Sequence, residues 1–280
     1  MKLPLLPNGK ALKLLQVDGV LGGKVWPAAV ALCQYLKQQQ QQQQHDSAYQ
    51  STVVELGSGT GAVGIYAAAV LGYSNVILTE HRPPKLSVIT SVPYSVDGSL
   101  ELDESVFQKS NRLLDLLYTN IDHNRALFAV PNLLPPRVME LDWTDPSHSQ
   151  RLLQEVLAAT DKKVIDLILV SDCTYVAEMH TPLANTISSL LSKPTSNTSR
   201  IKPAAHERST PVPVAVPKCL ISHQQRLPKW GWLGRRDSQL AKLESALQRA
   251  CLDIVERVEH PVTEGFKTHK VTILTVQHRA

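Results

Sequence analysis

The chain has 280 residues, of which 43% are hydrophobic, enough to bury a substantial core in one large domain or two small ones. A formal net charge of +4 with scattered basic residues does not select a nucleic-acid partner. The longest apolar runs, such as 67–71 and 167–170, are too short to span a bilayer, and the four cysteines include no Cys-x-x-Cys pair, which indicates neither a zinc site nor a disulfide framework. The ten histidines show no ligand spacing, so no metal site is expected. These features predict a soluble intracellular protein of the cytoplasm, with the nucleus as a second compartment.

In chain order, Pro27 opens a short helix over 27–36, where its missing N–H costs nothing. The glutamines from Gln38 to Gln44 are low complexity and read as an exposed loop. From residue 52 strands and helices alternate: strand 52–56, helix 62–71, strand 75–79. Residues 82–107, with three prolines and many serines, read as an inserted loop. A helix over 111–125, a strand over 137–141, a helix over 150–159, an apolar strand over 165–170 and a helix over 177–191 follow. The Ser-, Thr- and Pro-rich stretch 192–211 reads as a second insertion. The tail offers a strand at 214–222, a helix at 238–251 and strands at 254–259 and 270–276.

Such alternation predicts an α/β fold: a mostly parallel, Rossmann-like sheet with helices on both faces. The last two strands are joined by a connection too short for a helix, so they should form a C-terminal antiparallel hairpin. Residues 1–50 form an N-terminal segment and 51–280 the main domain with its two insertions.

Residues 53–65 read Val-Val-Glu-Leu-Gly-Ser-Gly-Thr-Gly-Ala-Val-Gly-Ile, a strand, then alternate glycines, then a helix. This spacing lets backbone N–H groups approach a ligand. Two frames overlap. Gly59-x-Gly61-x-x-Gly64 satisfies the dinucleotide fingerprint, with Glu80 about 20 residues on to meet a ribose hydroxyl. Glu55-x-Gly57-x-Gly59-x-Gly61 instead sets an acid before the first glycine, which suits a cationic ligand and repels a pyrophosphate. S-adenosyl-L-methionine carries a sulfonium and an amino group, whereas NAD carries a diphosphate, so the second frame favours the methyl donor. A turn that holds no ligand is the plain alternative.

Five segments then resemble, in order, those of the seven-β-strand S-adenosylmethionine-dependent protein-lysine methyltransferases that act on chaperones, AAA ATPases and elongation factors. They are the Gly22-to-Ala29 segment around Trp26, the Glu55-to-Gly61 loop, Asn120-x-x-x-Asn124, Leu141-Asp142-Trp143, and Asp172-x-x-Tyr175. The likeness spans about residues 22–191 and implies a seven-stranded methyltransferase sheet. It implies that S-adenosyl-L-methionine is held by Trp26, Glu55, Gly57, Ser58, Gly59, Gly61, Glu80, Trp143 and Ser171. In this frame Glu80 takes the ribose hydroxyls, Trp143 packs on adenine, and Trp26 lids the methionine end. Asp172 orients the incoming lysine, and Tyr175 forms part of its channel. The plain alternatives are a solvated carboxylate for Glu80, core aromatics for the tryptophans and a helix cap for Asp172.

The implied function is methyl transfer to a lysine of an intracellular protein, such as a chaperone or elongation factor. The enzyme is expected to act as a monomer with no nucleic-acid or membrane partner. Methylation of histidine or of an N-terminal amine, and an NAD(P)-dependent oxidoreductase, are the alternatives. Two tryptophans among basic residues at 228–236 are read either as a substrate contact or as local packing. Gln224-Gln225-Arg226 follows the family pattern only loosely.

Overall fold

The computed structural model describes residues 3, 11–43, 51–81, 104–129, 133–159, 164–192, 216–226 and 237–279. At its centre lies β1 (Thr52–Leu56), buried along its whole length. It pairs in parallel with β2 (Asn75–Glu80) on one side and β4 (Leu167–Ser171) on the other. Outside these, β3 (Arg137–Glu140) joins β2 and β5 (Lys218–Gln224) joins β4, both in parallel. Two late strands, β9 (Val271–His278) and β6 (Leu252–Glu259), add antiparallel. The seven-stranded order is β3-β2-β1-β4-β5-β9-β6. The direction of winding switches between β1 and β4, which opens a crevice at their carboxyl ends, where open α/β sheets gather ligands.

Pleating sends alternate residues to opposite faces, and both faces are covered. Val53, Leu78, Leu167 and Leu169 pack with α1 (Pro27–Gln43), α2 (Ala62–Leu71) and α3 (Glu104–His123). Val54, Ile77, Ile168 and Val170 pack with α4 (Pro146–Ala158), α5 (His180–Leu191) and α6 (Ser238–Arg249). Each fully buried Val, Leu or Ile contributes roughly 1.5–3 kcal/mol, an upper bound because unfolded chains already bury some apolar surface. The edge strand β6 carries Glu256, Arg257 and Glu259 on its surface, charges that discourage pairing with another chain.

The α/β architecture, the parallel core and the antiparallel C-terminal pair agree with the sequence reading. Several details differ. The glutamine run does not start a loop: α1 continues to Gln43, because glutamine is a good helix former and Gln40 Nε2 donates to the Leu71 carbonyl at 2.7 Å. Helix α3 begins at Glu104, inside the stretch expected to be inserted loop. Helix α4 starts at Pro146, four residues early, because Asp145 caps it through Ser147 N–H. The predicted 177–191 helix divides into a 3₁₀ turn, Ala177–Met179, and α5. The connection between the last two long strands holds a small ribbon, β7 (Val262–Glu264) with β8 (Lys267–His269). Most of both insertions, and the tryptophans at 228–236, lie outside the described residues.

Candidate active site

Strand β1 ends at Leu56, and the chain turns through alternate glycines into α2. Gly57 and Gly59 have φ values of 64° and 53°, where a Cβ is disfavoured. Space demands glycine there as well. A Cβ on Gly57 would lie 2.7 Å from Cys173 Sγ and 3.2 Å from the Trp143 ring, and one on Gly59 would run into the Gly22 carbonyl. Gly61 caps α2 and, alone among the predicted site residues, does not line the cavity described below. Glu55 reaches back from the strand, and its Oε2 accepts the Gly64 N–H at 3.0 Å. Burial pushes the Glu55 carboxyl up to about 8, with the Gly64 and Ser58 hydrogen bonds opposing. The third glycine of the dinucleotide frame thus already donates its amide to a carboxyl group.

Ser58 fastens the turn to β2: its N–H donates to the Thr79 carbonyl at 2.9 Å, and its Oγ accepts the Thr79 N–H at 3.1 Å. Glu80 closes β2. Its Oε2 accepts the Gly59 N–H at 2.8 Å and its Oε1 the His81 N–H at 2.9 Å. Burial raises its pKa while those two bonds pull the other way. Asp142 Oδ1 accepts from the Thr144 N–H and hydroxyl at 2.8 and 2.7 Å, which fixes the turn that presents Trp143. Trp26 precedes α1 and caps it, its carbonyl accepting from Ala29 and Val30, with its side chain partly exposed.

The N-terminal segment is held by two buried amides. Asn120 Oδ1 accepts the Leu15 N–H at 2.6 Å, while its Nδ2 donates to the carbonyls of Leu15 at 3.1 Å and Thr60 at 2.9 Å. Asn124 grips Lys13 in the same two-sided way, at 3.0 and 2.8 Å. The Asn-x-x-x-Asn pair therefore does the work of a missing strand partner. It also ties this segment to the glycine turn.

Beyond β4, Asp172 adopts φ 57° and is 5% exposed. Its N–H donates to the Ser222 carbonyl at 3.0 Å. The residue that caps the following 3₁₀ turn is Val176, so Asp172 is not a helix cap. Instead its Oδ2 meets Arg226 Nη2 at 2.5 Å, and the same guanidinium lies 5.6 Å from the Tyr175 ring centroid. Oδ1 is buried and accepts no hydrogen bond from the described residues. Burial raises the Asp172 pKa and Arg226 opposes it. Burial likewise pushes Tyr175 to about 12. Cys173 Sγ donates to the Leu56 and Ser171 carbonyls at 3.4 Å, and burial keeps it a thiol.

A buried polar chain braces this turn from behind. His223 Nε2 meets Asp237 Oδ2 at 2.8 Å, and its Nδ1 is hydrogen-bonded to the Thr174 hydroxyl at 2.5 Å. His180 Nε2 donates to the Thr174 carbonyl at 2.9 Å. Burial works to raise the Asp237 pKa, but the His223 bond and two α6 amides outweigh it and hold the carboxyl below its ordinary value.

Together these elements line a cavity of about 860 Å³, within the 300–1,000 Å³ common for small-molecule sites. Its wall carries four carboxyl groups, Glu55, Glu80, Asp142 and Asp172, with Lys24 as the one lysine or arginine among the lining residues. Trp26, Trp143 and Tyr175 supply aromatic faces, and Gly57, Ser58, Gly59 and Ser171 supply backbone. The family model for lysine methyltransferase matches residues 9–99 and 102–210. The chain belongs to the lysine methyltransferase family.

Two relatives are protein-lysine methyltransferases by name. One is the calmodulin-lysine N-methyltransferase of Arabidopsis thaliana, 26% identical over 166 residues, 59% of this chain and 40% of the relative. The other is the protein-lysine N-methyltransferase EFM6 of Saccharomyces cerevisiae, 29% identical over 193 residues, 65% of each chain. The chain thus spans under two thirds of the length of both. Among solved structures, a putative RNA methyltransferase, PH1948 from Pyrococcus horikoshii, aligns over 96% of this chain and 91% of its own, with 12% identity and a TM-score of 0.47. The magnesium protoporphyrin IX methyltransferase of Synechocystis PCC 6803 aligns over 91% and 89%, with 12% identity and a TM-score of 0.45. Neither bears on what this methyltransferase family member binds.

Arg226 and the His223–Asp237 pair did not emerge from the sequence as site residues. Arg226 lies beyond the range matched by the family model. The usable signal was topological: β5 runs parallel beside β4, so a cation just past the end of β5 falls beside the turn that leaves β4.

Proposed function

We propose that the protein is an S-adenosyl-L-methionine-dependent protein-lysine N-methyltransferase. The observation that carries this reading is the acid-lined cavity at the carboxyl ends of β1, β2 and β4. A diphosphate would meet four carboxyl groups and find the Gly64 amide occupied. A ligand with a sulfonium, an ammonium and ribose hydroxyls suits the same groups. Trp143 would flank the adenine, Glu80 would face the ribose, and Glu55 with the glycine turn would meet the amino-acid end under Trp26. Bound there, the donor would supply a methyl group on a sulfonium, an electrophile that needs alignment more than activation.

The chain's own residues do the aligning. Asp172 and Tyr175 face the cavity from the turn after β4, and Tyr175 is partly exposed at the surface, so a side chain from a protein could enter beside them. Membership of the lysine methyltransferase family and the names of both relatives support a protein lysine as acceptor. We place the protein in the cytoplasm or nucleus as a monomer, acting on a folded protein and not on nucleic acid. Calorimetry should give S-adenosylhomocysteine micromolar or tighter binding and NADH none, and tighter binding of NADH would sink the reading. Tritiated methyl donor incubated with cell extract should then label lysine in a mapped peptide. Label on histidine or an N-terminal amine would reassign the acceptor.

A further inference from the structure

The turn after β4 presents an acid that is not free. Asp172 lines the cavity and has Arg226 2.5 Å from one oxygen, so the pair carries no net charge, while its other oxygen is buried and has no hydrogen-bond partner among the described residues. Arg226 is not a cavity-lining residue. It approaches from the end of β5 and stacks over Tyr175. We propose that Arg226 is a positioning residue that cancels the charge of Asp172, so that the acceptor lysine is received as a neutral amine instead of an ammonium. This rests on the methyltransferase reading and deepens it.

A lone buried carboxylate would attract an ammonium and hold its proton, the wrong state for a nucleophile. With Arg226 in place the attraction is balanced. The Asp172 carboxyl at the cavity wall can then accept one N–H of a neutral amine, which leaves the nitrogen lone pair free to face the donor. The tyrosine ring and the guanidinium hold each other at the mouth of the site. The other groups that bear on this turn do not replace Arg226. His223, whose Nε2 is committed to Asp237, and the Gln224 backbone N–H also favour the charged Asp172, but less than Arg226 does, and Glu80 and the Cys173 thiol add only negative influence on Tyr175.

The test needs no protein substrate. Two analogues of S-adenosylhomocysteine are prepared in which nitrogen replaces sulfur and carries either a 4-aminobutyl or a plain butyl arm toward the acceptor side. Calorimetry near pH 7 measures both, with S-adenosylhomocysteine as reference, against the wild type, Arg226→Gln and Arg226→Lys. Loss of a cation beside Asp172 should raise the affinity for the amino arm about tenfold relative to the butyl arm in Arg226→Gln. Arg226→Lys, which keeps the charge, should stay near the wild-type ratio. S-adenosylhomocysteine should bind all three alike. An unchanged or lower ratio in Arg226→Gln overturns the proposal, as does loss of S-adenosylhomocysteine binding in that variant, which would make Arg226 structural. If wild type fails to bind S-adenosylhomocysteine, the methyltransferase reading falls first and takes this proposal with it.

Discussion

Glu55 serves two neighbours. It accepts the Gly64 amide and so caps α2, and it also faces the cavity. Burial lifts its pKa from 4.5 to about 8, so the folded protein binds a proton that the unfolded chain has released. Its contribution to stability is therefore complete below the unfolded value, declines as pH rises from about 4.5 to about 8, and levels off above that. Glu55→Gln keeps the acceptor and removes the titration. Denaturant unfolding at about pH 5 and about pH 9 should show a larger decline in wild type than in the variant, where Glu80, Asp172 and the buried thiols still contribute, a difference on the order of a few kcal/mol. A cationic ligand beside Glu55 should also displace its proton. Calorimetry of S-adenosylhomocysteine in two buffers of different ionisation enthalpy should detect that release in wild type alone. Asp172 gives a complementary residue-scale prediction. Asp172→Asn should leave S-adenosylhomocysteine binding within about threefold while cutting methyl transfer to extract proteins by about 100-fold, because the acceptor is misplaced and the donor is not.

At the scale of elements, α3 organises two segments that precede it. Asn120 holds the backbone at Leu15 and at Thr60, so one side chain sets the N-terminal segment against the glycine turn. Asn120→Ala strands three backbone partners and should cost about 1–3 kcal/mol in denaturant unfolding. It should also weaken S-adenosylhomocysteine binding, because Gly22 packs directly over Gly59. Asn124→Ala breaks the grip on Lys13 but leaves Thr60 held, so its effect on binding should be the smaller of the two. Helix α6 plays a similar part from the opposite face. Asp237 caps it through Gln239 and Leu240 and at the same time receives His223. Asp237→Ala should cost about 1–2 kcal/mol from the cap alone, with a further loss from the unpaired histidine.

For the whole molecule, a ligand that binds only the folded form stabilises it by mass action. S-adenosylhomocysteine at about 100 times its Kd should add about 2.7 kcal/mol to unfolding, read as a raised Tm, while NADH at the same concentration should add nothing. The fold around this site was legible early because it is written in local signals. Alternating apolar stretches marked the strands, and the boundaries of β1 and α2 follow directly from the apolar run and the glycines that flank it. For glutamines 38–43 composition points to a loop, but docking against α2 lets their helix propensity prevail. The cavity residues Glu55, Gly57, Gly59, Glu80 and Trp143 were legible for the same local reason, since each sits at the end of a strand or in the turn that leaves it. The sequence by itself thus determined the strand–helix alternation, the glycine turn and the acids at the ends of β1, β2 and β4. Only the tertiary structure decided what those acids face. Asp172 and Arg226 are 54 residues apart and meet because β4 and β5 run parallel in register, Ser171 beside Ser222. Leu15 and Asn120 are 105 residues apart and meet because α3 packs on the sheet face that the N-terminal segment crosses. Charge balance in a buried site is a property of neighbours in space, and a parallel sheet makes neighbours of residues that the chain keeps far apart.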